Sequence, residues 1–185
     1  MIIGATKEIK SGENRVGITP AGVQSIVSCG HTVLIESCAG TGSGFDDQAY
    51  KAAGAEIVNK QTVFDNAEMI VKVKEPVAEE IDMLRKGQII FTYLHLASEP
   101  NLTIELMKRK ITSIAYETVQ LDNGALPLLS PMSEVAGKMA VQLGARFLEK
   151  PQGGMGVLLG GIPGVPRANV VIVGGGMVGT NAAKV

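Results

Sequence analysis

The sequence predicts a doubly wound α/β fold built on a mainly parallel sheet, and three observations carry that expectation. Strand-length apolar segments alternate with helix-length amphipathic ones from residue 2 onward. Those strand segments are apolar on both faces instead of alternating, as expected of a parallel sheet covered by helices on both sides. Near the C-terminus the apolar run Asn169-Val170-Val171-Ile172-Val173 leads into a cluster of glycines that opens a further helix.

Residues 2–6 read as the first strand. Thr19 then caps a helix with Pro20 at its first position, Val23, Ile26 and Val27 on one face, and Gly30 just past its end. Residues 32–36 form the next strand, followed by a Gly-rich loop and a helix over 46–53. Further strands are expected at 55–58, 69–73, 88–92 and 113–116, with helices at 62–67, 77–84 and 101–110 between them. The pattern changes after Asp122-Asn123-Gly124, a hairpin-type turn. Ser130-Pro131 opens a longer helix over 132–149, a Gly/Pro-rich connection follows, and 169–173 reads as a strand. The expected organisation is a domain over 1–128, a linking helix and connection over 129–168, and the truncated start of a second domain over 169–185.

Composition bounds the function. Apolar residues make up 45% and charged residues 19%, with a net charge of −1, so no basic excess points to nucleic acid or a membrane surface. Cys29 and Cys38 match no metal motif and make no disulfide framework. No metal site is expected. The opening residues lack the apolar core of a signal peptide, and no apolar run approaches the ~20 residues that span a bilayer. A cytoplasmic location is therefore expected.

The segment from Val170 onward carries G-x-G-x-x-G between a strand and a helix, the context of a dinucleotide-binding Rossmann domain. Gly174 allows the tight turn, Gly176 lets a pyrophosphate approach the backbone, and Gly179 lets helix and strand pack closely. The amides near Met177 and Val178 would face the phosphates at the positive end of the helix. The acidic residue that grips the ribose falls ~20 residues further on, past Val185. Weak or no NAD binding is expected of these residues alone. Gly40, Gly42 and Gly44 follow another strand, but the third glycine falls one position early and Phe45-Asp46-Asp47 would bring negative charge toward a phosphate. They read as a structural loop.

Four polar residues fall beyond the carboxyl ends of strands, where open parallel sheets place their ligand sites. They are Arg15 after the first strand, Lys74 after 69–73, His95 after 88–92 and Glu117 after 113–116. Two cations, an imidazole and a carboxylate on one rim suit a small zwitterionic or keto-acid substrate. Arg15 would hold a carboxylate bidentately; a lysine and a histidine would polarise a carbonyl and shuttle a proton. Each residue alone also admits a plainer reading. Lys74 and Glu117, taken singly, read as solvated surface, and His95, between Leu94 and Leu96, reads equally as a satisfied core histidine. His31 follows Gly30 in a surface turn and reads as solvated.

These residues lie in stretches that resemble alanine dehydrogenase: ENRVGITPAGV around Arg15, AGTGSGF, VKVKEP around Lys74, FTYLHLA around His95, SIAYETVQ, LPLLSPMSEVAGKMA, QGGMGVLLGGIPGV and GGGMVG. The resemblance runs from Met1 to Val185. It implies an NAD-dependent oxidoreductase converting L-alanine and water to pyruvate and ammonia. By resemblance, Arg15 and Lys74 contact the substrate, His95 is the acid/base residue, Ser133 approaches the cofactor and Glu117 supports the site from behind. Transhydrogenase alpha subunits and saccharopine dehydrogenases share the RVGITP-like opening, but VKVKEP argues against the former and LPLLSPMSEVAGKMA against the latter. Family members are about twice this length, with a catalytic aspartate and further helices in the other half. The resemblance thus implies half a site, inactive alone, with a folded assembly module needing a second half as the alternative. The apolar strand at 169–173 would lack neighbours, so a homo-oligomer or self-association through 153–185 is expected.

Overall fold

The computed structural model describes residues 1–185 and divides into two compact units, Met1–Val119 and Gln120–Val185. The first is a six-stranded parallel sheet. Its strands are β1 (Ile2–Ala5), β2 (Thr32–Glu36), β3 (Glu56–Val58), β4 (Met69–Val71), β5 (Ile89–Thr92) and β6 (Thr112–Ala115). Between them run α1 (Pro20–Ser28), α2 (Asp47–Ala52), α3 (Lys60–Asn66), α4 (Ala78–Met83) and α5 (Pro100–Lys108). Every expected strand of this unit forms, and every pairing is parallel.

The strand order is β3-β2-β1-β4-β5-β6. The chain winds outward from β1 to β3, then crosses back to β4 on the other side of β1. Right-handed crossovers on the two sides place helices on opposite faces, which explains why the strands carry apolar residues on both. Two cores result. One gathers Val63, Phe64, Ile70, Ile90, Leu94, Leu102 and Leu106; the other gathers Ile3, Val23, Val33, Ile35 and Tyr50. Successive residues of one strand serve opposite cores: Leu34 faces the first, Val33 and Ile35 the second.

Local chemistry sets the element ends. Thr19 Oγ1 accepts the Gly22 N–H at 3.2 Å, so α1 begins at Pro20 as its cap requires. Asp46 and Asn59 cap α2 and α3 in the same way. Strand β4 ends at Val71, two residues before the expected limit. The Val73 N–H is taken by the Glu8 carboxylate at 2.6 Å. Tyr116 likewise leaves β6 for a 3-10 turn over Tyr116–Thr118. The glycines after β2 enclose a 3-10 turn, Thr41–Ser43.

The second unit contains α6 (Ser130–Phe147) and α7 (Met177–Lys184). The turn at Asp122-Asn123-Gly124 is closed by Leu121 N–H donating to the Ala125 carbonyl at 2.9 Å, with Gly124 left-handed at φ 82°. The expected strand over 169–173 is not formed, because a strand needs a ladder partner and these residues have none. Val171 and Val173 stand 85% and 96% exposed. No helix is long and apolar enough to cross a membrane.

Candidate active site

In a parallel sheet of this order, the crevice for a ligand lies beyond the carboxyl ends of β1 and β4, where the winding reverses. The loop after β1, residues 6–19, carries Arg15, and the loop after β4 carries Lys74. The fold therefore brings two cations from distant parts of the sequence to neighbouring strand ends. Arg15 is gripped by a carboxylate that the sequence reading missed. Its Nε donates to Glu13 Oε1 at 2.8 Å and its Nη2 to Oε2 at 2.5 Å, while the Arg15 backbone N–H donates to Oε1 at 2.9 Å. The Arg15 hydrogen bond holds the Glu13 carboxyl down to about 2 against the opposing effect of burial, and the Lys74 charge adds to the depression. The same bond pushes the Arg15 guanidinium upward, with Tyr93 and Glu8 contributing. Glu13 thus fixes the plane of a guanidinium on the rim.

Lys74 is half-buried. The paired cations of this region are Lys10, Arg15 and Lys72, and Lys74 is not among them. Beside it, Glu75 is nearly buried and forms an ion pair with Lys10. Burial pushes the Glu75 carboxyl up, but the Lys10 hydrogen bond, a backbone hydrogen bond and the nearby Lys10 and His95 charges together hold it below its ordinary value.

His95 is exposed, which sets aside its reading as a core histidine. Its backbone is left-handed at φ 50°, a conformation that L residues adopt at a cost. Glu117, from the turn after β6, holds it there. Its Oε1 accepts the His95 N–H at 2.7 Å and the Leu94 N–H at 3.2 Å. Glu117 therefore grips the backbone of the histidine, not its ring. The imidazole stacks on Tyr93 with centroids 6.1 Å apart and planes 13° from parallel. Tyr93 meets Tyr116 edge-on at 5.0 Å, and Phe91 meets Tyr116 at 4.4 Å. Burial raises the Tyr93 phenol, and its proton equilibrium responds to both Arg15 and Glu117. Tyr93 is thus the hub of the cluster, a role signalled only by its place two residues before His95 in FTYLHLA. His31 immediately precedes β2 and contacts the N-terminal amine at 3.3 Å, away from the rim.

The second unit gathers the other expected residues. Gly174 adopts φ 101°, which only glycine reaches without strain. A Cβ on Gly179 would sit 1.9 Å from the Gly174 carbonyl oxygen, so the turn closes only over a bare Cα. A Cβ on Gly176 would meet nothing within 4 Å, which leaves its backbone open to a ligand. Met177 and Val178 begin α7 and are exposed. Ser133, in the first turn of α6, lines the same open cavity of about 1030 Å³ as Gly174, Gly176, Met177, Val178 and Gly179.

Comparison with known proteins matches residues 4–136 to the N-terminal domain model of alanine dehydrogenase/PNT, and residues 140–185 to the C-terminal domain model of the same family. The chain belongs to the alanine dehydrogenase/PNT family. Alanine dehydrogenase of Methanococcus maripaludis is 63% identical over 186 residues, covering 100% of this chain and 50% of that protein. Alanine dehydrogenase 2 of Staphylococcus aureus is 58% identical over 185 residues, again across the whole chain and 50% of the relative. A solved L-alanine dehydrogenase superposes over 100% of the chain and 51% of its own length with a TM-score of 0.93 and 57% identity. The transhydrogenase from Sinorhizobium meliloti matches 80% of the chain and 44% of its own length at 28% identity, TM-score 0.71. The chain thus spans about half the length of the curated alanine dehydrogenases it matches.

Proposed function

We propose that this chain supplies the substrate-binding half of an NAD-dependent L-alanine dehydrogenase, whose reaction takes L-alanine, NAD and water to pyruvate, ammonia and NADH. The observation that carries the reading is that Arg15, Lys74 and His95 follow the carboxyl ends of three neighbouring strands, β1, β4 and β5. The Arg15 guanidinium, oriented by Glu13, binds the substrate carboxylate. The Lys74 ammonium stabilises negative charge on the keto oxygen as the carbonyl forms. His95 moves a proton to and from that oxygen, its ring set on Tyr93 and its backbone pinned by Glu117. Tyr93 stacks on the His95 ring, and Tyr116, packed against the core, backs Tyr93.

Gly174, Gly176, Gly179 and the amides of Met177 and Val178 fit a dinucleotide pyrophosphate: one glycine turns the chain, one leaves room, and the helix start offers donors. Ser133 shares their cavity. NAD held by these residues would supply the hydride acceptor for the oxidation. The segment 153–185, in which Val171 and Val173 stand 85% and 96% exposed, is where association between copies is proposed; light scattering of this chain and of a Val171→Lys/Val173→Lys variant reads it.

A chimera tests the enzymatic reading. Residues 1–185 replace the matching half of the Methanococcus maripaludis relative, and NADH formation from L-alanine is followed. Turnover that falls at least roughly hundredfold on Arg15→Ala, Lys74→Ala or His95→Ala supports it. A folded chimera without turnover, or one indifferent to these substitutions, refutes it.

A further inference from the structure

The most deeply buried charges of the first unit are not those of Arg15, Lys74 or His95. Lys72 is fully buried, and Glu80 and Glu8 are 1% and 7% exposed. Lys72 Nζ donates to Glu80 Oε1 at 2.8 Å, to Glu8 Oε2 at 3.2 Å and to Thr6 Oγ1 at 3.4 Å. Removing three charges from water is costly, and apolar residues often fill such a space at no loss of stability. Stability alone therefore gives a poor reason for the set.

The second oxygen of each carboxylate is more telling. Glu8 Oε1 accepts the Val73 N–H at 2.6 Å and the Lys74 N–H at 3.4 Å. Glu80 Oε2 instead accepts the Val77 N–H at 3.1 Å, further along the loop. Glu8 thus grips the backbone that carries Lys74. It also belongs to the loop after β1 that carries Arg15, and its charge is among those that raise the Arg15 guanidinium. One carboxylate reaches both loops, and Lys72 locks it in place.

We propose that Glu8, held by the buried Lys72, is a positioning residue of the site: it sets the spacing between the Arg15 loop and the Lys74 backbone. The proposal rests on Arg15 and Lys74 gripping the substrate, as argued above. Glu80 shares Lys72 but not Lys74, so it braces the network without setting that spacing.

This difference supplies the test. Glu8→Gln and Glu80→Gln each remove one charge from the same lysine and keep the side-chain shape. Both are made in the 185-residue chain, labelled with 15N. Amide hydrogen exchange and pyruvate affinity are measured well below the unfolding temperature of each variant. Glu8→Gln is expected to speed exchange at Val73 and Lys74 and weaken pyruvate binding, each at least about tenfold. Glu80→Gln is expected to leave both within about twofold. Equal effects from the two variants, or no effect from Glu8→Gln, overturn the proposal. If the unaltered chain binds no pyruvate, the reading of Arg15 and Lys74 as a carboxylate site of this chain fails, and exchange at Val73 and Lys74 in the two variants still decides the positioning role. Should Glu8→Gln not fold, exchange in the unaltered chain decides: protection of Val73 matching the β4 amides supports the clamp, and exchange at an open-loop rate overturns it.

Discussion

Replacing Glu117 with alanine removes the only carboxylate that holds the His95 turn, and the geometry sets the size of the effect. The His95 N–H loses a charge-assisted bond of 2.7 Å, and the N–H of fully buried Leu94 loses its acceptor at 3.2 Å. Hydrogen bonds to charged groups contribute about 1.5–3 kcal/mol, and orphaning a buried donor costs about 1–3 kcal/mol. The left-handed backbone of His95, φ 50°, holds roughly 1–2 kcal/mol of strain that relaxes once the bond is gone. The net expectation is a loss of about 2–4 kcal/mol for Glu117→Ala. Glu117→Gln keeps an acceptor and loses only its charge, so about 1 kcal/mol is expected. His95→Gly removes the strain beforehand, so Glu117→Ala should cost about 1 kcal/mol more in the His95→Gly background than in the unaltered chain. Urea unfolding followed by tyrosine fluorescence reads this cleanly, because all three tyrosines, Tyr50, Tyr93 and Tyr116, lie in the first unit. A loss below about 0.5 kcal/mol for Glu117→Ala, or strict additivity with His95→Gly, refutes the assignment of Glu117 as the clamp.

Other consequences are as direct. Tyr50 is fully buried and donates to the Ile18 carbonyl at 2.8 Å, and burial pushes its phenol up to about 12. Its contribution to stability is full below pH 10 and lost as pH rises toward about 12, so Tyr50→Phe should cost about 1 kcal/mol at neutral pH and flatten the alkaline slope. The Glu13 carboxyl, held at about 2 by Arg15, contributes stability above its ordinary value of 4.5 that disappears as pH falls through about 2. A carboxyl 13C titration should show that midpoint, and Arg15→Ala should return it toward 4.5. A Cβ at Gly179 would lie 1.9 Å from the Gly174 oxygen, so Gly179→Ala should open the turn, cost about 1–3 kcal/mol and shift the amides of 174–180.

Local signals made much of the fold legible. The cap at Thr19, Pro20 behind it and the stop before Gly30 marked α1, and apolar runs marked six parallel strands. The rim residues were legible because strand ends are. Lys72 was not. In Val71-Lys72-Val73-Lys74 two lysines alternate, and nothing local says which turns inward. Glu8, 64 residues away along the chain, decides that, together with Glu80. The same carboxylate takes the Val73 N–H, which is why β4 stops two residues early. Tyr93 and Glu13 were missed for a related reason: their roles come from contacts to His95 and Arg15 that alternation and spacing do not encode. Residues 169–173 carry strand composition, but composition supplies no partner, and no ladder forms.

The most direct measurement is a pyruvate titration of the 15N-labelled chain, with amide shifts mapped by residue. Saturable shifts centred on Arg15, Lys74, Tyr93 and His95, weakened at least about tenfold by Arg15→Ala, are the expected result. Saturable shifts elsewhere, or none at those four residues, would mean that the rim of this sheet is not a carboxylate-binding site.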